Sequence, residues 1–340
     1  MAVAALLHLC AAAVLAALAA ATVGPISQSP SPRRRTVTIH YRAYDGRIRA
    51  ARVLLPGWYG PADDPPIALV ISPHGRGVGA RANANLWGDL PEIGGFAVVN
   101  PDGEGRRLRL FSWGYAGQIA DLARMSAIVH AQLPWLRVDA KRIYAVGGSM
   151  GGQETLLLVA RHPHLLAGAV AVDSVTDLAL QYRNFARLTC GETCMRNWNG
   201  PLGLRLQRFA RMEIGGSPTT ASAAYAARSP LDVAAAIARS CVPLQIWWST
   251  ADKVVVDSDR QSGALFRRVR KLNEHAPVAA YSGSWIHTAA LNARRRLPLM
   301  LVGLGLLPRN AAHRRHALHY VRAAGGRAGC LSAAAGTATR

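Results

Sequence analysis

The chain has 340 residues, half of them hydrophobic, with 40 lysines and arginines against 19 acidic residues and a formal net charge of +21. The apolar share excludes a disordered chain and suffices for one large α/β domain or two ordinary ones. The charge is almost wholly arginine, and no zinc-knuckle spacing, aromatic-basic strand pair or recognition-helix pattern accompanies it, so nucleic acid is set aside in favour of an anionic membrane or cell-wall polymer, or of arginine-rich codon usage.

Residues 1–23 form an alanine-rich apolar run whose one ionisable residue is His8, and Ala19-Ala20-Ala21 offers a cleavage site. This predicts a signal peptide or N-terminal anchor and a secreted or cell-envelope protein. No basic residue precedes the run and Arg33, Arg34 and Arg35 follow it, which keeps retention as an anchor open. Residues 24–35, rich in Pro, Ser and Arg, read as a linker. In an exported chain Cys190, Cys194, Cys241 and Cys330 are compatible with two disulfides in any of three pairings, Cys190 with Cys194 closing the shortest loop.

Thr36 to Tyr41 and Ile48 to Leu55 read as strands joined by a turn at Asp45-Gly46. Ile67 to Ser72 is a continuous apolar strand that runs into Pro73-His74-Gly75-Arg76-Gly77, a loop placed to offer a backbone amide to a developing oxyanion. Phe96 to Val99 is the next buried strand. Trp113 and Tyr115 lie in a loop able to wall a pocket, and Gln118 to Gln132 has the spacing of one amphipathic helix that Val138-Asp139 turns back into the sheet.

Ile143 to Val146 is a short β-leaning run that stops at Gly147-Gly148-Ser149-Met150-Gly151, a G-x-S-x-G followed by the helical stretch Gln153 to His162. Strand, motif and helix in that order lift a serine hydroxyl clear of the sheet on a turn too tight for a Cβ on either side. Ala167 to Val172 is another strand, ending at Asp173. Residues 178–212 break the rhythm and read as a cap insertion. Leu244 to Ser249 is a strand with Asp252 just beyond its end, Arg260 to Asn273 a helix, and Val278 to Tyr281 a last strand followed by His287.

The alternation demands a mainly parallel sheet with helices on both faces and its chemistry beyond the carboxyl ends of the strands. Ser149, Asp252 and His287 then stand in the order of nucleophile, acid and base. Asp257 and Asp173 are rivals for the acid. Leu297 to Leu307 is too short to span a bilayer and reads as a closing helix. Residues 307–340, basic and without an acidic residue, read as a solvated tail, with affinity for anionic lipid or cell wall as the functional alternative. His313, His316 and His319 lie at helical spacing and read as a polar face rather than a metal site.

Residues 36–306 resemble the α/β-hydrolase superfamily, and within it the hydrolase domain of the prolyl oligopeptidase group and its esterase relatives. The likeness rests on Ser-Pro-His-Gly at 72–75, Gly-Gly-Ser-Met-Gly-Gly at 147–152, Ile-Gly-Gly-Ser-Pro at 214–218, Ala-Arg-Ser-Pro at 227–230, Thr-Ala-Asp at 250–252 and His287. It implies Ser149 as nucleophile, Asp252 as acid and His287 as base, with the amides of Met150 and of Gly75 or Arg76 as oxyanion hole. It implies no metal or organic cofactor. Where the family has a glycine before the acid-bearing turn this chain has Ser249-Thr250, and Met150 stands where its peptidases often have an aromatic. The 12 residues between the apolar run and the first strand are too few for a propeller blade, which favours an ester substrate, small or polymeric, over a peptide. The competing expectation is a non-catalytic protein of the same fold that binds an anionic surface.

Overall fold

In the computed structural model, which describes residues 34–61, 64–103, 113–188, 202–311, 319–321 and 330, the apolar runs assemble into one sheet of nine strands. Residues 1–33, a unit of their own, lie outside the described residues, as do Cys190, Cys194, His313 and His316. The strands are β1 (Arg35–Arg42), β2 (Ile48–Leu55), β3 (Ile67–Ile71), β4 (Phe96–Pro101), β5 (Val138–Gly148), β6 (Gly168–Val172), β7 (Leu244–Ser249), β8 (Val278–Gly283) and β9 (His319–Val321). Their order across the sheet is β1-β2-β4-β3-β5-β6-β7-β8-β9. The hairpin β1–β2 enters antiparallel, β3 to β8 run parallel, and β9 closes the far edge antiparallel to β8.

Each central strand divides its side chains between two cores, as the pleat requires. Leu69 and Ile71 of β3, Ala169 and Ala171 of β6 and Ile246 of β7 join a core with Ile119, Leu156, Leu265 and Val269, from helices on one face. Ala68 and Val70, Val170 and Val172, and Trp247 join the other, with Trp87, Leu90, Leu297 and Met300. The helix Met150–Arg161 buries nearly its whole length, which fixes the turn before it from below. Among the described residues no helix is long and apolar enough to cross a membrane.

The mainly parallel α/β sheet follows the expectation, and several local readings are corrected. The predicted helix Gln118 to Gln132 is two helices, Ala116–Ala123 and Met125–Gln132, broken at Arg124. The backbone at Arg124 departs from helical values, with φ −87° and ψ −5°, a local change that apolar spacing does not report; its guanidinium donates to Asp121, whose carboxylate also accepts the Tyr44 amide. Val138-Asp139, expected as a turn, begins β5. The strand is longer than its apolar run because Val138 pairs with Ile67 before a register shift brings Ile143 opposite Leu69.

The reading of residues 307–340 as a solvated tail gives way at three places. Leu307 is buried, His319–Val321 forms β9, and Cys330 is fully buried in a disulfide with Cys241 across 89 residues. That bond belongs to one of the three pairings left open, the one in which Cys190 would join Cys194. Chain-entropy arguments give such a closure about 4–5 kcal/mol. We therefore expect the double variant Cys241→Ser/Cys330→Ser to lose about that much unfolding free energy in urea, and dithiothreitol to destabilise the wild type similarly; equal urea midpoints would refute this.

Candidate active site

Beyond the carboxyl ends of β3, β5, β6, β7 and β8 the chain folds into five loops, and these bring together residues far apart in sequence. After β5, Ser149 takes φ 59° and ψ −124°, a left-handed conformation that a non-glycine residue adopts only when its surroundings enforce it. The glycines do the enforcing by permitting close approach. A Cβ on Gly147 would stand 2.3 Å from the Gly151 carbonyl oxygen, and one on Gly151 2.3 Å from the carbonyl oxygen of Pro73 in the loop after β3. The Ser149 amide donates to Val172 at 2.9 Å, tying the turn to the end of β6. Met150, first residue of the following helix, has no acceptor for its amide within that helix.

The loop after β3 is set by His74, which is buried. Its Nε2 accepts the Gly103 amide at 3.0 Å, so its Nδ1 carries the proton and donates to the Gly75 carbonyl at 2.8 Å. Gly75 then lies beside Ser149, a Cβ on it falling 3.8 Å from the serine Cβ. Arg76 turns the opposite way. Its guanidinium donates through both terminal nitrogens to Glu213 and lies 4.8 Å from the Trp113 ring centroid, both members of the pair being almost fully buried. Glu213 belongs to the cap helix Leu202–Ile214, so a desolvated bidentate ion pair clamps the cap to this loop. A third tie is apolar: Met150 packs with Trp113, Leu178, Phe185, Leu206 and Val255.

At the end of β7 the Asp252 Oδ1 accepts the amides of Val254 (2.7 Å) and Val255 (3.0 Å). Its Oδ2 lies 2.7 Å from His287 Nδ1, a contact in which a carboxylate can only accept, so the ring is protonated on Nδ1 and Nε2 is left as an acceptor. Ser149 and His287 line one cavity of about 290 Å³ together with Gly75, Arg76, Val78, Leu86 and Leu291.

The rivals for the acid part company. Asp257 faces the cap, accepting from Arg187 (2.6 Å) and Asn184 (3.3 Å). Asp173 lies wholly buried at the end of β6 under the histidine loop. Its Oδ1 accepts the Ser249 amide (2.7 Å), and its Oδ2 accepts the Trp285 indole (2.8 Å) and the Thr288 amide (2.7 Å). Burial pushes the Asp173 carboxyl up to about 6; the neighbouring His287 opposes the rise, and the charge of Asp252 adds to it. Ser249, the departure from the family's glycine, accepts the Trp285 amide (2.9 Å) and donates to its carbonyl.

These bonds are what residue-by-residue reading missed. The positions were visible as strand ends, but partners such as Asp173 and Thr288 or Arg76 and Glu213 are more than a hundred residues apart. Asp173, Asp252 and His287 also place ligand atoms within 4.8 Å of one another, the one such group among the described residues. Its carboxylate oxygens already accept five N–H groups besides the imidazole, which suits a hydrogen-bonded site better than a metal centre.

The sequence model of the prolyl oligopeptidase family matches residues 95–201, which include Ser149 but neither Asp252 nor His287. No curated protein matches the chain. Among solved structures, the acylaminoacyl peptidase of Pyrococcus horikoshii superposes with a TM-score of 0.58 at 15% identity, covering 84% of this chain and 43% of that one. FphF, a fluorophosphonate-binding serine hydrolase of Staphylococcus aureus, gives 0.53 at 14% identity over 75% of this chain and 92% of its own. The S-formylglutathione hydrolase FrmB of the same organism gives 0.51 at 14% identity with the same coverage. The chain spans less than half the length of the peptidases it resembles. At these identities the likeness is one of fold.

Proposed function

We propose that this chain, whose fold is that of an α/β-hydrolase with a prolyl oligopeptidase-like segment, is a serine hydrolase acting on carboxylic esters with small acyl groups. The observation that carries the reading is the hydrogen bond from His287 Nδ1 to Asp252, which leaves Nε2 as the accepting nitrogen of a ring that lines the same cavity as the strained Ser149. Ser149 Oγ adds to the ester carbonyl as His287 takes its proton. The oxyanion is held by the amides of Met150 and of Gly75 or Arg76. The imidazolium then protonates the leaving alkoxide, and water, activated by the same imidazole, releases the acid.

One feature favours an ester over a peptide. The cavity is small, with apolar walls at Val78, Leu86 and Leu291, so it suits a short acyl chain more than an extended peptide. The proposal extends to export through residues 1–23 and to attachment to an anionic envelope surface through the arginine excess, an attachment that rising salt should weaken.

A fluorophosphonate probe should label the wild type and not Ser149→Ala, and p-nitrophenyl acetate should be turned over faster than p-nitrophenyl octanoate and far faster than a peptide p-nitroanilide. Anilide hydrolysis at a matching rate would make the protein a peptidase. A wild type that takes no label would leave the anionic-surface binder as the surviving reading.

A further inference from the structure

We propose that Asp173 is a positioning residue, a buried carboxylate strut that fixes the histidine loop against the acid-bearing turn so that His287 meets both Asp252 and Ser149. The inference rests on the serine-hydrolase reading and deepens it by assigning a fourth side chain to the same site.

The geometry is specific. Oδ1 holds the Ser249 amide, three residues before Asp252, while Oδ2 holds the Thr288 amide, the next residue after His287, and the Trp285 indole, two residues before it. One side chain therefore bridges the ends of β6 and β7 and both flanks of the histidine. Asp173 (φ 47°) and Thr288 (φ 54°) hold left-handed backbone, as expected of residues whose conformation is imposed by tertiary bonds. Ser249 doubles the link through its hydroxyl, which bonds the Trp285 main chain on both sides. The Arg296 guanidinium lies 4.6 Å from the Trp285 ring centroid and closes the outside of the cluster.

A carboxylate is required because acceptors are needed in two directions. An asparagine at 173 turned to accept from Trp285 and Thr288 would aim its amino group at the Ser249 N–H; turned over, it would oppose two donors. Both oxygens of Asp173 are engaged by these donors, so it touches neither substrate nor the reacting atoms and acts through the placement of His287. Displacements of about 1 Å in such placements lower rates about 100-fold.

The strut also adds an ionisation. The charged groups facing Asp173 are His287 from the loop after β8, Asp252 from the turn after β7, and Arg296 from the start of the helix Leu297–Gly303. Protonation, centred near pH 6 because of burial, takes acceptors from Asp173, so activity falls through that range on this account as well as through loss of the general base. The acid limb of log(kcat/KM) in the wild type should then be steeper than one.

The test compares wild type, Asp173→Asn and Trp285→Phe on p-nitrophenyl acetate between pH 4.5 and 9, a range that reaches about 1.5 units below the Asp173 ionisation. Fluorophosphonate labelling rates and near-UV circular dichroism accompany the kinetics. We expect Asp173→Asn to lose about 100-fold in kcat with KM within about threefold, and its acid limb to fall to slope one. Trp285→Phe, which removes one of three donors, should lose about 3–10-fold in kcat. A folded Asp173→Asn with kcat within about twofold of wild type and an unchanged acid slope would overturn the inference. If that variant does not fold, Trp285→Phe decides: unchanged kcat overturns it, and a drop in kcat at constant KM supports it. A wild type inert to both ester and label would instead bring down the serine-hydrolase reading, and this inference with it.

Discussion

Ser149→Ala is expected to lose about 10⁵-fold in kcat on p-nitrophenyl acetate, close to 7 kcal/mol of transition-state stabilisation, while KM changes little. The alanine keeps the turn, because the elbow is shaped by the approach of Gly147 to Gly151 and of Gly151 to Pro73 rather than by the serine hydroxyl. It also keeps the amides of Met150 and of Gly75 and Arg76 in place, so the remaining rate is what substrate binding and the proposed oxyanion stabilisation supply alone. His287→Ala should lose nearly as much, and the double variant hardly more than either, since nucleophile and base act as a unit. Losses that multiplied in the double variant would show that the two side chains serve separate steps. A His287→Ala variant within about tenfold of wild type would place the base elsewhere.

Asp252→Asn is expected to lose about 10⁴-fold, more than the removal of one hydrogen bond would suggest. The reason is local. Oδ1 of residue 252 is pinned by the amides of Val254 and Val255, both donors, so an asparagine must keep its oxygen there and turn its amino group to His287. The ring then accepts at Nδ1 and is protonated at Nε2, the nitrogen that has to take the serine proton. The variant should fold normally, because the Val254 and Val255 bonds survive. Steady-state kinetics paired with thermal unfolding checks both halves, and a loss below about tenfold would mean that the His287 tautomer is set without Asp252.

The two changes test different parts of what could be read from the residues. The apolar runs at 67–71, 168–172 and 244–249 are legible as strands because both of their faces are buried, so no alternation is needed to recognise them. The turn at Ser149 is legible because its steric demands are met by neighbours in sequence, which glycine spacing advertises. The chain order of Ser149, Asp252 and His287 followed from strand ends, and Asp252 and His287 lie within a hydrogen bond of each other. What stayed hidden depends on partners distant in the chain. Nothing near Asp173 hints that a carboxylate wholly cut off from water would be matched by donors from three places, and its short-range pattern is that of a helix cap. The Arg76–Glu213 clamp was likewise invisible, since in an arginine-rich sequence most arginines are solvated. The ninth strand lost out to net charge, an average that an edge pairing can override.

Keeping Asp173 ionised has a thermodynamic consequence. Its carboxyl is raised from 3.8 to about 6 by burial, so the native state holds its proton more tightly than the unfolded chain does. This contribution to stability is present in full below about pH 4 and is lost as pH rises through about 6, a difference near 3 kcal/mol in the direction opposite to that of most carboxylates. The fold thus gives up stability at neutral pH to hold a charged acceptor where the histidine loop needs one, the usual trade between stability and function at active sites.

The ninth strand carries a consequence of another kind. Without it, β8 would present a row of unpaired peptide groups at the rim of the sheet, a template on which a second molecule can add. The segment that covers this rim is followed nine residues later by Cys330, whose covalent partner precedes β7. In a reducing milieu that tether is undone, and the rim is guarded by three residues of pairing alone. The disulfide therefore does more than add stability: it ties down the segment whose strand covers this border of the sheet.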